Sequence, residues 1–142
     1  MKNELNNLIR EAMLAKDELR LRVLRFIKTE FTKFETAEHS TELTEIEEQK
    51  ILIKMAKQRE ESVREYAKAG RDDLMMAEAD ELSILVGFIP KQPSNEEVIS
   101  FVNDLMDNET DNMGGYIKKI KAKFPTVDGK VIADIVKSKL NK

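Results

Sequence analysis

The chain has 142 residues, 41% hydrophobic and 36% charged, with a formal net charge of −3 at pH 7 and no cysteine. That length fits one domain or two small ones, and the missing cysteines exclude disulfides and thiolate metal sites. No apolar run approaches the ~20 residues of a membrane span and no apolar signal core opens the chain, so a soluble, cytoplasmic protein without membrane contact is expected.

Glycine and proline are scarce, with five and three residues, and so are aromatics at 6%, which favours helices. Met1 to Leu14 places Leu5, Leu8, Ile9 and Ala12 on one helical stripe. Ala15-Lys16-Asp17 reads as a short break, with Asp17 as the cap of a second helix. That helix carries Leu19, Val23, Phe26, Ile27 and Phe34 on its apolar stripe, with Arg20, Arg22, Arg25, Lys28 and Lys33 on its other faces. Residues 35–43 lose the period and read as a loop. Thr44 and Glu47 form a capping box that opens a long helix to Ala69, with Leu52, Ala56, Val63 and Tyr66 apolar and Arg59 between them. Gly70 supplies a residue that tolerates positive φ, and Asp72 follows as an N-cap. The fourth helix runs from about Asp72 to Ile89, with Leu74, Glu78, Leu82, Leu85 and Ile89 on one face. Gly87 weakens its last turn and Pro90 ends it.

Pro90-Lys91-Gln92-Pro93-Ser94 is a stiff connection, and it divides the chain into an N-terminal domain, 1–92, and a C-terminal domain, 93–142. Ser94 to Glu97 is a second capping box, opening a helix with Val98, Phe101, Val102 and Leu105 inward. Asp107 to Asn112 breaks it. Met113, Ile117, Ile120 and Phe124 form a sixth stripe, stopped by Pro125. Asp128-Gly129 starts a seventh with Val131, Ile132, Ile135, Val136 and Leu140. No segment alternates as a strand. The expected fold is all-α, a four-helix N-terminal domain followed by a small three-helix C-terminal domain. At about 50 residues the second domain sits near the lower limit for independent folding.

Charge is unevenly placed. Residues 93–111 hold six acids and no base, whereas residues 112–142 hold eight lysines and two acids. Lys118, Lys119, Lys121 and Lys123 fall on one helix, and Lys130, Lys137 and Lys139 on the next. Lysines spread over a surface can bind phosphates without reading bases. They can equally form a solubilising face, and Arg20, Arg22 and Arg25 carry the same two readings.

Other chemistry has little to build on. Two acid clusters, Glu45/Glu47/Glu48 and Glu78/Asp80/Glu81, could suggest acid catalysis. Nothing in the sequence separates two carboxyl pKa values, so solvated helix faces are expected instead. His39, the single histidine, lies in the expected loop, and the Glu-x-x-His pairs of a di-iron bundle are absent, so no metal is expected. No P-loop or G-x-G-x-x-G occurs, and no cofactor is expected. Gly114-Gly115 reads as a turn or as close packing at a helix start. Met75-Met76, Met106 and Met113 read as core filling rather than an adaptable binding surface.

Lys57-Gln58-Arg59-Glu60-Glu61-Ser62, Ala69-Gly70-Arg71-Asp72-Asp73-Leu74, Glu78, Glu81-Leu82 and Ile89-Pro90-Lys91-Gln92 together resemble the YqeY family. Ala12-Met13, Ala15-Lys16-Asp17, Arg20-Leu21 and Leu24-Arg25 resemble its opening. Met113-Gly114 and Asp128-Gly129-Lys130-Val131-Ile132 resemble its close. The chain departs from the pattern in Lys121 to Val127, where many relatives carry a Gly-Arg pair. The family is similar to the C-terminal tail of GatB, a subunit of glutamine-dependent tRNA amidotransferase. The resemblance therefore implies an all-α fold, contact with tRNA and association with carbon–nitrogen ligase activity using glutamine as amide donor. It assigns no role to Lys57, Gln58, Arg59, Gly70, Arg71, Asp72, Asp128 or Gly129. Two readings follow. In one, Lys118, Lys119, Lys121, Lys123, Lys130 and Lys137 present charge to tRNA or another structured RNA. In the other, the chain is an adaptor docking on a protein partner such as an amidotransferase subunit. An independent amidotransferase would need a nucleophile and an ATP site, and neither is visible.

Overall fold

The computed structural model describes residues 1–37 and 42–141, which form seven α-helices and no strand. The helices are α1 Lys2–Leu14, α2 Glu18–Thr36, α3 Glu45–Lys68, α4 Asp72–Val86, α5 Asn95–Asn108, α6 Met113–Lys123 and α7 Gly129–Leu140. The chain divides into two compact units, Met1–Pro90 and Lys91–Lys142.

The first unit is two helical hairpins. α3 packs along α4, α1 packs along α2, and α2 touches both α3 and α4. Its core is Leu5 and Ala12 of α1, Val23, Leu24, Ile27 and Phe31 of α2, Leu52, Met55 and Ala56 of α3, and Leu85 of α4. Leu24 and Phe31 were not on the expected α2 stripe, whereas Phe26, which was, is 42% exposed. Burying a side chain of Leu or Phe size contributes about 1.5–3 kcal/mol, so the shift of the stripe by one position decides which face docks.

Helix ends follow local chemistry. Asp17 Oδ1 accepts the Arg20 N–H at 3.1 Å, as its cap role requires. Thr44 Oγ1 accepts from the Glu47 N–H at 3.2 Å, and the Thr44 N–H donates to the Glu42 carbonyl, so the capping box is made from one side. Glu35 and Thr36, expected in a loop, complete α2, and Thr36 Oγ1 donates back to the Thr32 carbonyl. Asp72 is not a cap. Arg71 holds the N-cap position without a side-chain bond, and Asp72 is the first helical residue, an acid in the first turn where the dipole favours it. α4 stops at Val86 rather than Ile89. Beyond it the N–H groups of Gly87, Phe88 and Ile89 each reach back three residues, a tightening that ends in Pro90.

The corners closing both hairpins share one geometry. After α3, the Arg71 N–H donates to the Tyr66 carbonyl and the Gly70 N–H to the Ala67 carbonyl, with Gly70 at φ +70°. After α1, the Asp17 N–H donates to the Ala12 carbonyl and the Lys16 N–H to the Met13 carbonyl, with Lys16 at φ 57°. Both are Schellman caps, which need a left-handed residue.

In the second unit α6 and α7 form a hairpin and α5 touches both. Val98, Val102, Tyr116, Ile120, Phe124, Ile132 and Val136 are its core, with the Phe101 and Phe124 rings edge to face at 5.4 Å between centroids. Ser94 Oγ caps α5, Asn112 Oδ1 caps α6 and Asp128 Oδ1 caps α7.

The two corners give a paired prediction. Gly70→Ala meets no neighbour within 4 Å of its new Cβ, so its cost is conformational alone, about 1 kcal/mol. Lys16→Gly removes the same strain and should stabilise by a similar amount, about 0.5–1 kcal/mol. Urea unfolding of the two variants should move in opposite directions.

Candidate functional site

Three of the residues that carried the family resemblance in the first unit, Arg59, Glu78 and Glu81, meet at one ion network. Arg59 Nε of α3 lies 3.3 Å from Glu81 Oε2 and 3.7 Å from Glu78 Oε2 of α4. Arg22 Nη1 of α2 donates to the other Glu81 oxygen at 3.2 Å. The Arg59 guanidinium also stands 5.1 Å from the Phe26 ring centroid. Of the acid cluster on α4, Asp80 is exposed as expected, but Glu78 is half-buried and Glu81 is 7% exposed. Two arginines from two other helices make its burial tolerable. The α3 cluster contains a second buried acid. Glu48 accepts the Lys2 N–H at 3.0 Å and pairs with the Met1 α-ammonium at 3.1 Å, closing the start of α1. Both positions were readable, since Glu48 precedes Leu52 by four residues and Glu81 precedes Leu85 by four.

Lys57 and Gln58 are exposed on α3 beside Arg59. Arg71 is exposed and its Nε lies 3.5 Å from Asp73 Oδ1. The Gly70-Arg71-Asp72 corner is thus accounted for by backbone geometry and one surface pair. Asp128 and Gly129 likewise begin α7, with Asp128 Oδ1 accepting the Lys130 N–H at 2.9 Å. His39 lies outside the described residues.

The lysines of the second unit fall into separate groups. Lys119 Nζ lies 3.4 Å from Glu109 Oε1 and 3.5 Å from Asp111 Oδ2. Partial desolvation pulls its pKa down, but the Glu109 and Asp111 carboxylates outweigh this and hold it above the ordinary 10.5. Lys121 Nζ donates to the Val127 carbonyl, tying α6 to the turn that follows it. Lys123 lines an open groove with Glu96, Glu97 and Asp104. Lys139 Nζ lies 3.3 Å from Asp107 Oδ1. Lys118, Lys130 and Lys137 are exposed and make no ion pair among the described residues.

Sequence reasoning missed Tyr116, the residue that shapes this region. Its ring is buried at 5% exposure. Its hydroxyl donates to the Glu109 carbonyl at 2.9 Å and accepts the Asp111 N–H at 3.0 Å. Gly115 completes the arrangement, because a Cβ there would lie 2.2–2.3 Å from the Asp111 carboxylate. Close packing at the start of α6 is therefore the role of that glycine.

Fold and surface together define a two-unit, all-helical protein held by internal ion pairs, with cations exposed on its smaller unit. The chain belongs to the Yqey-like protein family, whose sequence model matches residues 2–140. It is 32% identical over 107 residues to altered inheritance of mitochondria protein 41, mitochondrial, of Kluyveromyces lactis, covering 71% of this chain and 58% of that protein. The protein of the same name from Vanderwaltozyma polyspora is 27% identical over 139 residues, 93% of this chain and 75% of its own length. That from Clavispora lusitaniae is 32% identical over 117 residues, 78% and 68%. The chain thus spans about three-fifths to three-quarters of these curated relatives. Their names are those of mitochondrial proteins, which overturns the expectation of a cytoplasmic one. Among the described residues no helix is long and apolar enough to cross a membrane.

The ion network separates two neighbouring carboxylates by role. Glu81→Ala leaves Arg22 without its acceptor and Arg59 with only Glu78, and should cost about 2 kcal/mol in urea unfolding of the first unit. Glu78→Gln should cost less, under about 1 kcal/mol, because it gives up only the 3.7 Å pair with Arg59 and no hydrogen bond among the described residues.

Proposed function

We propose that this Yqey-like protein is an RNA-binding accessory module. Its smaller unit meets the phosphates of a structured RNA, and tRNA is the candidate that the likeness to the GatB tail implies. The observation that carries the reading is that Lys118, Lys130 and Lys137 stand exposed with no carboxylate partner among the described residues. Three such ammonium groups are point charges suited to phosphate and carry no base specificity. The module would serve glutamine-dependent amidation as an accessory to catalytic parts carried elsewhere.

One observation favours a second reading, an adaptor for a protein partner. Ile99 of α5 is 43% exposed and lines a groove with Asn103 and with Ile135 and Ser138 of α7. An apolar strip rimmed by polar groups is the form of a helix-docking surface.

Binding of purified protein to total tRNA at two salt concentrations separates the readings. The RNA module predicts binding whose logarithm falls with log salt at a slope of roughly −2 to −3 for three lysines. Lys118→Glu, Lys130→Glu and Lys137→Glu together should abolish it without changing the helical circular dichroism. Equal binding by that folded variant, or none by the parent, overturns the reading. Stoichiometric recovery of a protein without RNA then favours the adaptor.

A further inference from the structure

We infer that the acidic connection between α5 and α6 is a built-in mask that withholds Lys119 and Lys139 from a polyanion and so fixes the side of the smaller unit that a polyanion meets. The inference rests on the phosphate-binding reading above, and it identifies the element that limits and orients that binding.

The sequence places acids and bases in consecutive blocks, and the fold lays one on the other. Asp107, Glu109 and Asp111 lie at the end of α5 and just beyond it, and between them they pair Lys139 and Lys119. Exposed ion pairs of this kind are weak, and a loose acidic side chain would yield its lysine to a phosphate. The backbone from Glu109 to Asn112 is held. The buried Tyr116 bonds the Glu109 carbonyl and the Asp111 N–H through one hydroxyl. The Asn112 N–H donates to Asp111 Oδ1 at 2.8 Å, and Asn112 in turn caps α6 through the Gly115 N–H. The missing side chain of Gly115 gives the Asp111 carboxylate its place.

The negative charges therefore remain when a polyanion approaches. Within a Debye length of ~10 Å at 0.1 M salt they repel phosphates as well as neutralising lysines. Glu96, Glu97 and Asp104 extend the same sign around Lys123. Lys118, one step around α6 from Lys119, and Lys130 and Lys137 on α7 are left as the accessible set. A repulsive element of this kind narrows the permitted docking orientations as well as lowering affinity.

The test neutralises the mask without removing its hydrogen-bonding shape: Asp107→Asn, Glu109→Gln and Asp111→Asn in the full chain. The probes are total tRNA and long-chain inorganic polyphosphate. The polyphosphate comparison decides the mask whether or not RNA is a ligand, and a parent that binds polyphosphate but not tRNA removes only the RNA reading. The neutralised variant should bind polyphosphate at least about tenfold more tightly at 0.1 M salt, with a log–log slope steeper by roughly 1.5–2 as two lysines are released. Adding Lys119→Gln and Lys139→Gln should return the slope to the parent's and remove most of the affinity gain, whereas in the parent the same two substitutions should lower affinity by a much smaller factor. If the triple variant does not fold, Glu109→Gln alone should shift affinity in the same direction by a smaller factor. Unchanged affinity and slope, no polyphosphate binding by the neutralised protein, or an equal loss from the two lysine substitutions in both backgrounds overturns the inference.

Discussion

The larger unit depends on one carboxylate placed between two guanidinium groups. Glu81 receives Arg22 on one oxygen and Arg59 on the other, and these three residues belong to α4, α2 and α3. Apolar packing alone fixes how close these helices come, but it is tolerant of sliding. A buried acid is not tolerant, because any arrangement that moves it from its arginines leaves charge in a poor dielectric. Leu85 lies one turn beyond Glu81 and is 1% exposed, so the polar contact and the core contact share a single helix face. The Arg59 guanidinium adds the Phe26 ring, which explains how a phenylalanine of α2 stays half open to solvent without lying idle.

Much of this fold was legible because helices announce themselves by period and by their ends. Seven stripes, the caps at Asp17, Thr44 and Ser94, and the glycine corner at Gly70 all follow from local chemistry. The misplaced buried residues came where the decision was tertiary. The α2 stripe drifts, so that Leu24 and Phe31 are buried and Phe26 is not; only the neighbouring helices determine that rotation. Glu48 and Glu81 were read as solvated because acids usually are, although their four-residue spacing to Leu52 and Leu85 places them on the inner face. Tyr116 was passed over because its amphipathic side chain fits no binary pattern. Its ring belongs to the core and its hydroxyl belongs to the loop. The Lys16 corner looked like a simple break, since a left-handed lysine is not something that sequence advertises.

The candidate phosphate face shows a different limit. Charge counted along the chain gave a basic segment of eight lysines after an acidic segment of six acids. Such a count treats the segments as if they faced different ways. In the fold the end of the acidic segment returns across α6 and α7, and two lysines become internal partners while a third bonds a backbone carbonyl. Net charge survives this folding, but the number of cations open to a ligand does not. Salt dependence reports the second quantity, so it discriminates where composition cannot.

Several of the motif residues that mark the family hold the fold. Arg59, Glu78 and Glu81 form the interior network, Gly70 closes a corner, Asp128 caps α7 and Gly129 begins it. Glu81, Gly70 and Asp128 are demanded by a buried charge, a backbone angle and an orphan donor, whatever the protein contacts. Family membership on such residues transmits architecture more securely than it transmits activity. On the smaller unit the surfaces that these residues leave free differ sharply over a few ångströms. Lys118 and Lys119 are adjacent in sequence and both exposed, yet only Lys119 is engaged by two carboxylates. The physical difference is a turn of about 100° around α6, together with the tyrosine that holds the acids in place. A relative that keeps every fold-holding residue but changes this connection would keep the architecture and present a different binding face.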